Sequence, residues 1–337
     1  MTDPYSASGV SLEAAARAVE LIKDIAARAS RPEVKAGVGG FAGLFEISEG
    51  RYLVAATDGV GTKVEMARLA GRLDTVGADL VAMCADDVVC TGAEPLFFLD
   101  YLAVGRLVPE EAASLVEGVA EGCRQAGCAL LGGETAEHPG VMELGRFDLA
   151  GFCVGAVEER NLLGSQRVED DDVLVGLESS GLHSNGFSLV RRVLLDEGGF
   201  DLDETTPRFA RSLGDELLEP TRIYSLAVVD LAKRGLVHAA AHITGGGLVE
   251  NVPRMLPPGL GAVVDTSTWV VPPIFGFVQE AAGASREEMF RVLNMGIGMV
   301  LVVPRGKEDE VLADAQTFGC PAHVIGSVAT GRGLILR

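Results

Sequence analysis

Apolar residues recur along this chain with two periods, one of three to four positions and one matching short buried strands. From Ser11 to Ala29 the spacing predicts an amphipathic helix with Ser11 as its N-cap. Arg31-Pro32 closes it, and the glycine-rich loop Gly37-Val38-Gly39-Gly40-Phe41-Ala42-Gly43 follows. Tyr52 to Ala56 reads as a strand. Thr75 to Cys90 carries Ala78, Val81, Ala82 and Val89 at helical spacing and reads as a mostly buried helix. Pro95 to Val104 predicts a buried strand with one conspicuous acid, Asp100. Pro109 suits the first position of a helix that Gly127 caps. Cys128 to Leu131 predicts a short strand running into a loop, Gly132 to Glu137, and Phe147 to Val157 the last strand of this half.

The polar stretch Glu158 to Asp172 is the expected domain boundary, giving a first domain over 1–168 and a second over 169–337. Beyond it, Val173 to Leu177 reads as a strand entering the loop Ser179 to Gly186. Helices are expected over Phe187 to Asp196, Thr221 to Arg234, Gly247 to Met255 and Lys307 to Phe318. Strands are expected over Ala262 to Asp265, Met299 to Val303, Val324 to Ala329 and Leu334 to Leu336. Strands that alternate with helices in both halves predict an α/β protein.

Composition narrows the function classes. The net charge of −20 is spread without a block of like charge, which argues against nucleic acid or an anionic membrane as the partner. Six cysteines show neither a CxxC pair nor a metal-ligand spacing, so a reduced compartment is expected. Met1-Thr2-Asp3-Pro4 lacks the features of a signal peptide, and no apolar run approaches the ~20 residues of a membrane helix. A cytoplasmic protein is the expectation.

The densest candidate chemistry is Thr57-Asp58-Gly59-Val60-Gly61-Thr62-Lys63 at a strand-to-loop junction. Glycine admits close backbone approach, aspartate can hold Mg²⁺ and lysine can neutralise phosphate. An ordinary glycine turn with a solvated lysine is the bland alternative. Two further acid-bearing loops, Asp86-Asp87 and Glu134-Thr135, lie near the ends of apolar elements. Mg²⁺ takes one or two carboxylates with phosphate and water, so scattered acids together with Lys63 point to a nucleotide–Mg²⁺ site. There is no GxxxxGK[ST] loop, and the glycine-rich loop follows no strand. In the second half, His183-Ser184-Asn185-Gly186 and His242-Ile243-Thr244-Gly245-Gly246-Gly247 place hydroxyls and N–H groups next to helix starts. Asn251 and Arg254 sit about one helical turn apart, able to face the same cleft.

Several runs together carry a resemblance: Thr57 to Lys63, Asp79 to Cys84, Gly92 to Tyr101, Glu121-Gly122-Cys123, Gly132 to Gly140, His183 to Val190, Pro220 to Tyr224, His242 to Gly247 and Asn294 to Met299. In order and spacing they resemble the phosphoribosylformylglycinamidine cyclo-ligase family, the aminoimidazole ribonucleotide synthetases of purine biosynthesis. The resemblance covers nearly the whole chain. It implies ATP-dependent ring closure of formylglycinamidine ribonucleotide through an iminophosphate, with ADP and phosphate released. It also implies a two-domain synthetase fold of mixed α/β sheets. N-terminal strands would pair across a homodimer to form a barrel, and a C-terminal α/β domain would complete the substrate cleft.

Carried over residue by residue, the resemblance implies Asp58 and Asp87 as Mg²⁺ ligands, with Lys63 and the glycine-rich loop near the ATP phosphates. Gly59, Gly61 and Thr62 belong to the same nucleotide motif, and Gly133, Glu134 and Thr135 would contact the nucleotide. Ser184, Asn185, Thr244 and Gly245 would hold the ribose phosphate or amidine, with His242 in proton transfer. The chain departs from the family at Asp86, where Asn is usual, and at Ala7-Ser8-Gly9-Val10, where Asp-Ala-Gly-Val is usual. Arg291-Val292-Leu293-Asn294 replaces Arg-Thr-Phe-Asn. The rivals are a sibling synthetase and a non-catalytic scaffold. A formylglycinamidine synthetase needs a longer chain or a glutaminase, and a selenophosphate synthetase needs a reactive N-terminal cysteine, whereas the first here is Cys84.

Overall fold

The computed structural model describes Gly9 and residues 11–337. Ala7 and the first four residues lie outside the described part. Helix α1 (Leu12–Ala27) starts where the sequence indicates, with the Ser11 hydroxyl accepting from the Ala14 amide at 3.1 Å. Strands β1 (Val34–Ala36), β2 (Gly43–Ser48) and β3 (Arg51–Gly59) follow, then α2 (Lys63–Ala70), α3 (Val76–Val89), β4 (Glu94–Val104), α4 (Pro109–Ala126), β5 (Ala129–Glu137) and β6 (Phe147–Glu158). Pro109 opens α4, and Gly127 closes it with φ 76°, a left-handed conformation suited to glycine.

The first six strands form one sheet in the order β1-β2-β3-β6-β4-β5, antiparallel except where the crossover through α4 makes β4 and β5 parallel. Alternation along β6 exposes Phe152 on one face and buries Cys153 on the other. Helix α3 packs on the buried face and is itself buried almost all round, since it also touches the second half of the molecule.

The second half comprises β7 (Val173–Glu178), α5 (Phe187–Val190), α6 (Leu213–Leu217), α7 (Ser225–Lys233), β8 (Ala239–His242), α8 (Gly247–Asn251), β9 (Leu260–Val264), α9 (Pro273–Ala282), α10 (Arg286–Val292), β10 (Ile297–Val303), α11 (Glu308–Thr317), β11 (Ala322–Thr330) and β12 (Gly333–Leu336). Its sheet runs β12-β9-β11-β7-β10-β8. Every residue of β8 and β10 is buried, as expected of strands covered on both faces. Among the described residues no helix is long and apolar enough to cross a membrane.

The α/β class and mixed sheets agree with the sequence reading, and three local expectations are corrected. Gly132 to Glu137 continues β5 as a strand instead of forming a loop. Asp86 and Asp87 lie in the last turns of α3, also not in a loop. The helix expected from Thr221 begins only at Ser225. The amides of Thr221 and Tyr224 donate instead to Asp79 Oδ1 at 2.8 Å and Asp86 Oδ1 at 3.0 Å, and that of Arg222 to Ser180 Oγ at 3.1 Å. Long-range acceptors thus take the N–H groups of this segment.

Candidate functional site

Helix α3 brings the halves together because its acids project to different sides. Asp87 faces strand β8, where its Oδ1 lies 2.9 Å from His242 Nδ1. The imidazole is fully buried, and its Nε2 has no hydrogen-bond partner among the described residues. Burial works against protonation of His242. The Asp87 hydrogen bond and charge, reinforced by Asp86 and Asp58, outweigh it and raise the pKa above the ordinary value. An unpartnered buried ring nitrogen is costly unless it has a ligand-facing task.

Asp58, the next-to-last residue of β3, lies beside this pair and keeps solvent-accessible surface. The crowded cleft still desolvates its carboxyl and raises its pKa, with Asp87 adding to the rise, while the Gly59 amide at 2.7 Å and His242 oppose it. Two carboxylates this close together form a natural cation site. Among the described residues, no three His, Cys, Asp or Glu side chains could hold a metal by themselves. The donor set therefore fits Mg²⁺ that takes its remaining oxygens from phosphate and water.

Asp86 differs sharply from its neighbour. Its Oδ1 accepts from the Tyr224 amide and Ser225 Oγ, each at 3.0 Å, and burial pushes its pKa up to about 7. It faces the start of α7.

Lys63 is also placed differently from the expectation of a phosphate contact. It has no exposed surface, and its ammonium donates to Asp79 Oδ1 at 2.8 Å and to the Glu219 carbonyl at 2.7 Å. Burial lowers its pKa, and Asp79 partly restores it. The rest of the motif does reach the second half. Gly61 turns the chain at φ 73°, and Thr62 Oγ1 lies 3.1 Å from Ser188 Oγ at the start of α5.

The two second-half loops meet one another. A Cβ on Gly245 would stand 3.6 Å from Asn185 Oδ1, and Asn185 Nδ2 donates to Met83 Sδ of α3 at 3.6 Å. Asn251, expected at the substrate, spends its amide on the carbonyls of Thr244, Gly245 and Gly247 at 3.4, 3.1 and 2.9 Å, so it shapes that loop. Its Oδ1 accepts from Arg254, whose guanidinium covers the Phe41 ring at 3.7 Å and so ties down the glycine-rich loop. His183 has φ 63°. Its Nε2 accepts from the Ser180 amide at 3.2 Å, and burial drives its pKa well below the ordinary value.

Strand register separates Glu134 from this group. One rung runs Asp58–Gly151–Asp100–Gly133, so Asp58, Gly133 and Thr135 share a face while Glu134 projects from the other. Gly133 is required because a Cβ there would stand 2.2 Å from Asp100 Oδ1. The expectation that all three acid segments line one cleft therefore fails at Glu134 within a single chain.

Sequence reasoning gave no role to Asp79, the ion-pair partner of Lys63, or to Thr221, which donates to the same carboxylate. For Asp79, an acid set among the apolar residues at the start of a largely buried helix was the available signal.

The domain profile described as AIR synthase related protein, N-terminal domain, matches residues 39–157, and its C-terminal counterpart matches 169–337. A phosphoribosylformylglycinamidine cyclo-ligase of Shouchella clausii is 50% identical, covering 100% of this chain and 99% of the relative. One from Myxococcus xanthus is 52% identical, covering 99% and 98%. Among solved structures, thiamine-monophosphate kinase from Stenotrophomonas maltophilia matches with TM-score 0.64 and 20% identity over 94% of this chain and 95% of that one. T. maritima PurL complexed with ADP matches with TM-score 0.62 and 17% identity over 90% of this chain and 44% of that one. These structural likenesses speak to the fold.

Proposed function

The chain belongs to the phosphoribosylformylglycinamidine cyclo-ligase family, and from that premise we propose how its own residues carry out the reaction. The protein is an ATP-dependent ligase that closes the imidazole ring of aminoimidazole ribonucleotide from formylglycinamidine ribonucleotide. The observation that carries the site assignment is the Asp87–His242 contact between the halves, with Asp58 alongside and His242 Nε2 unpartnered.

A formamide oxygen leaves poorly, so ATP converts it to a phosphate ester before the neighbouring amidine nitrogen attacks. Because nucleophile and electrophile belong to one molecule, holding the chain folded supplies much of the acceleration, up to ~7–11 kcal/mol. Asp58 and Asp87 would hold Mg²⁺, which would neutralise charge on the transferring phosphoryl group. Asp87 turns one oxygen to His242, and its carboxylate would help to hold the cation. His242 Nε2 is the atom assigned to hold and move the proton that accompanies ring closure. Ser184, Asn185, Thr244 and Gly245 line the substrate side, Asn251 fixes the last two, and Arg254 anchors the glycine-rich loop over ATP.

The outer face of the first sheet supports a homodimer. Phe152 is 44% exposed there and Leu131 66%, with Leu53, Phe97, Leu99 and Val154 half-buried around them. A second copy packed on this face would close the sheet into a barrel and cover Glu134 beside Gly133 and Thr135, where the nucleotide is assigned. A cytoplasmic location follows from the substrates of such a reaction.

The test is ADP release from ATP–Mg²⁺ with and without formylglycinamidine ribonucleotide, with the aminoimidazole product followed in parallel. Equal amounts of ADP and product are expected. ADP release without cyclised product would assign a sibling acceptor, and silence in both channels would leave a scaffold.

A further inference from the structure

We propose that Ser184 enters the substrate cleft as an obligate hydrogen-bond acceptor, its proton held in a buried relay through Thr221 to Asp79 and Lys63. It therefore recognises a hydroxyl or N–H of the substrate and not a phosphate oxygen. The inference rests on the functional reading above, since it says which part of that substrate Ser184 meets.

The direction of the relay follows from counting protons. Asp79 Oδ1 receives the Lys63 ammonium at 2.8 Å and the Thr221 amide at 2.8 Å. A backbone N–H can only donate, so this oxygen acts as an acceptor whatever the state of Asp79 Oδ2. Thr221 Oγ1, 2.6 Å from the same oxygen, must then donate its single proton to it. At its other contact, 3.2 Å from Ser184 Oγ, Thr221 has no proton left and can only accept. Ser184 is the donor there, and its only proton is spent.

Burial keeps the arrangement fixed. Lys63 and Asp79 have no exposed surface and Thr221 is 2% exposed, so water is kept from offering the hydroxyls an alternative partner. Ser184 is the most exposed member, at 6%, and its carbonyl borders Gly61 of the nucleotide motif. Only lone pairs remain on its oxygen for a ligand. A phosphate oxygen would bring a second acceptor against them, whereas a ribose hydroxyl or amidine N–H supplies the missing proton. The lysine of the motif thus acts at a distance: it holds the carboxylate that orients the hydroxyls.

The experiment measures KM for formylglycinamidine ribonucleotide and the competitive Ki of inorganic phosphate in wild type, Ser184→Ala, Thr221→Val, Thr221→Ser and the double variant Ser184→Ala/Thr221→Val. Ser184→Ala is expected to raise KM about 5–10-fold, one hydrogen bond's worth, with the phosphate Ki within about twofold of wild type. Thr221→Val should raise KM similarly, Thr221→Ser should restore it, and the double variant should be no worse than either single one. A phosphate Ki that rises with KM in Ser184→Ala would overturn the proposal, as would multiplying effects in the double variant. Should Thr221→Val fail to fold, the two constants of Ser184→Ala decide the matter alone. Absent wild-type turnover would remove the functional premise, an outcome distinct from these.

Discussion

The two six-stranded sheets of this molecule are finished to different degrees. In the second, β7, β8 and β10 are buried along nearly their whole length, and helices cover both faces. In the first, β6 alternates between buried and accessible positions, and an apolar outer face is left open. Strand composition follows the difference. β10 reads Ile-Gly-Met-Val-Leu-Val-Val without a polar residue, whereas β5 carries Glu134, Thr135 and Glu137. One half is covered within the chain, and the other leaves an apolar surface uncovered.

The sharpest way to break that contrast is a carboxylate placed in each sheet. Val302→Asp in β10 buries an uncompensated charge costing several kcal/mol, comparable with the ~5–15 kcal/mol that holds a domain together. Loss of the cooperative thermal transition is expected. Phe152→Asp should instead leave a folded monomer with little change in Tm but at least tenfold less turnover, read by sedimentation and the ADP assay. A Phe152→Asp protein that stays dimeric would show that the open face is not the interface.

The next effect tests how the halves divide the chemistry, acids from the first and imidazole from the second. Asp87→Asn and His242→Gln should each cut kcat by about 10²–10⁴, and the double variant should be little worse because the two act as a unit. Wild-type kcat in either would remove that residue from the site.

The smallest effect lies at the seam. Asp86 has a pKa of about 7 in the folded protein against 3.8 for an ordinary aspartate, so the fold binds its proton more tightly than the unfolded chain does. Its contribution to stability is complete below about pH 4 and is lost as pH rises through about 7. Asp86→Asn, which keeps the acceptor for Tyr224 and Ser225, should therefore gain Tm over wild type between pH 4 and 7 and hold a constant lead above it. A lead that does not change with pH would show that Asp86 stays ionised throughout.

Much of the fold was legible because its signals are local. Ser11, Pro109 and Gly127 mark helix ends by the hydrogen bonds and dihedral angles they favour, and β10 announces itself by composition. Ala239-Ala240-Ala241-His242 has no β-branched residue, and only its pairing with β10 makes it a strand. Thr221 to Tyr224 was read as helix, but the amides of Thr221 and Tyr224 go to acids 142 and 138 positions away, which no window of sequence reveals. Lys63 was misleading for another reason: its setting of glycines and hydroxyls resembles a phosphate loop, while one of its two partners, the Glu219 carbonyl, lies 156 positions away. Asp58 and Asp87 stood out as acids beside apolar elements, and the roles expected of them and of His242 came from the resemblance. Their convergence depends on α3 lying between the halves.

The Lys63–Asp79–Thr221 clasp also bears on how such chains can be recombined. The domain profiles divide at 157 and 169, an inviting place to exchange halves between relatives. Lysine and carboxylate come from one side of that division, and the threonine and the Glu219 carbonyl from the other. A hybrid whose second half lacks the matching segment inherits a sealed charge pair stripped of its outer partners. Removing one member of a buried pair outright costs about 3–5 kcal/mol, and this lesser mismatch takes a share of that penalty. Modules that look separable along the chain are therefore heritable only as matched sets.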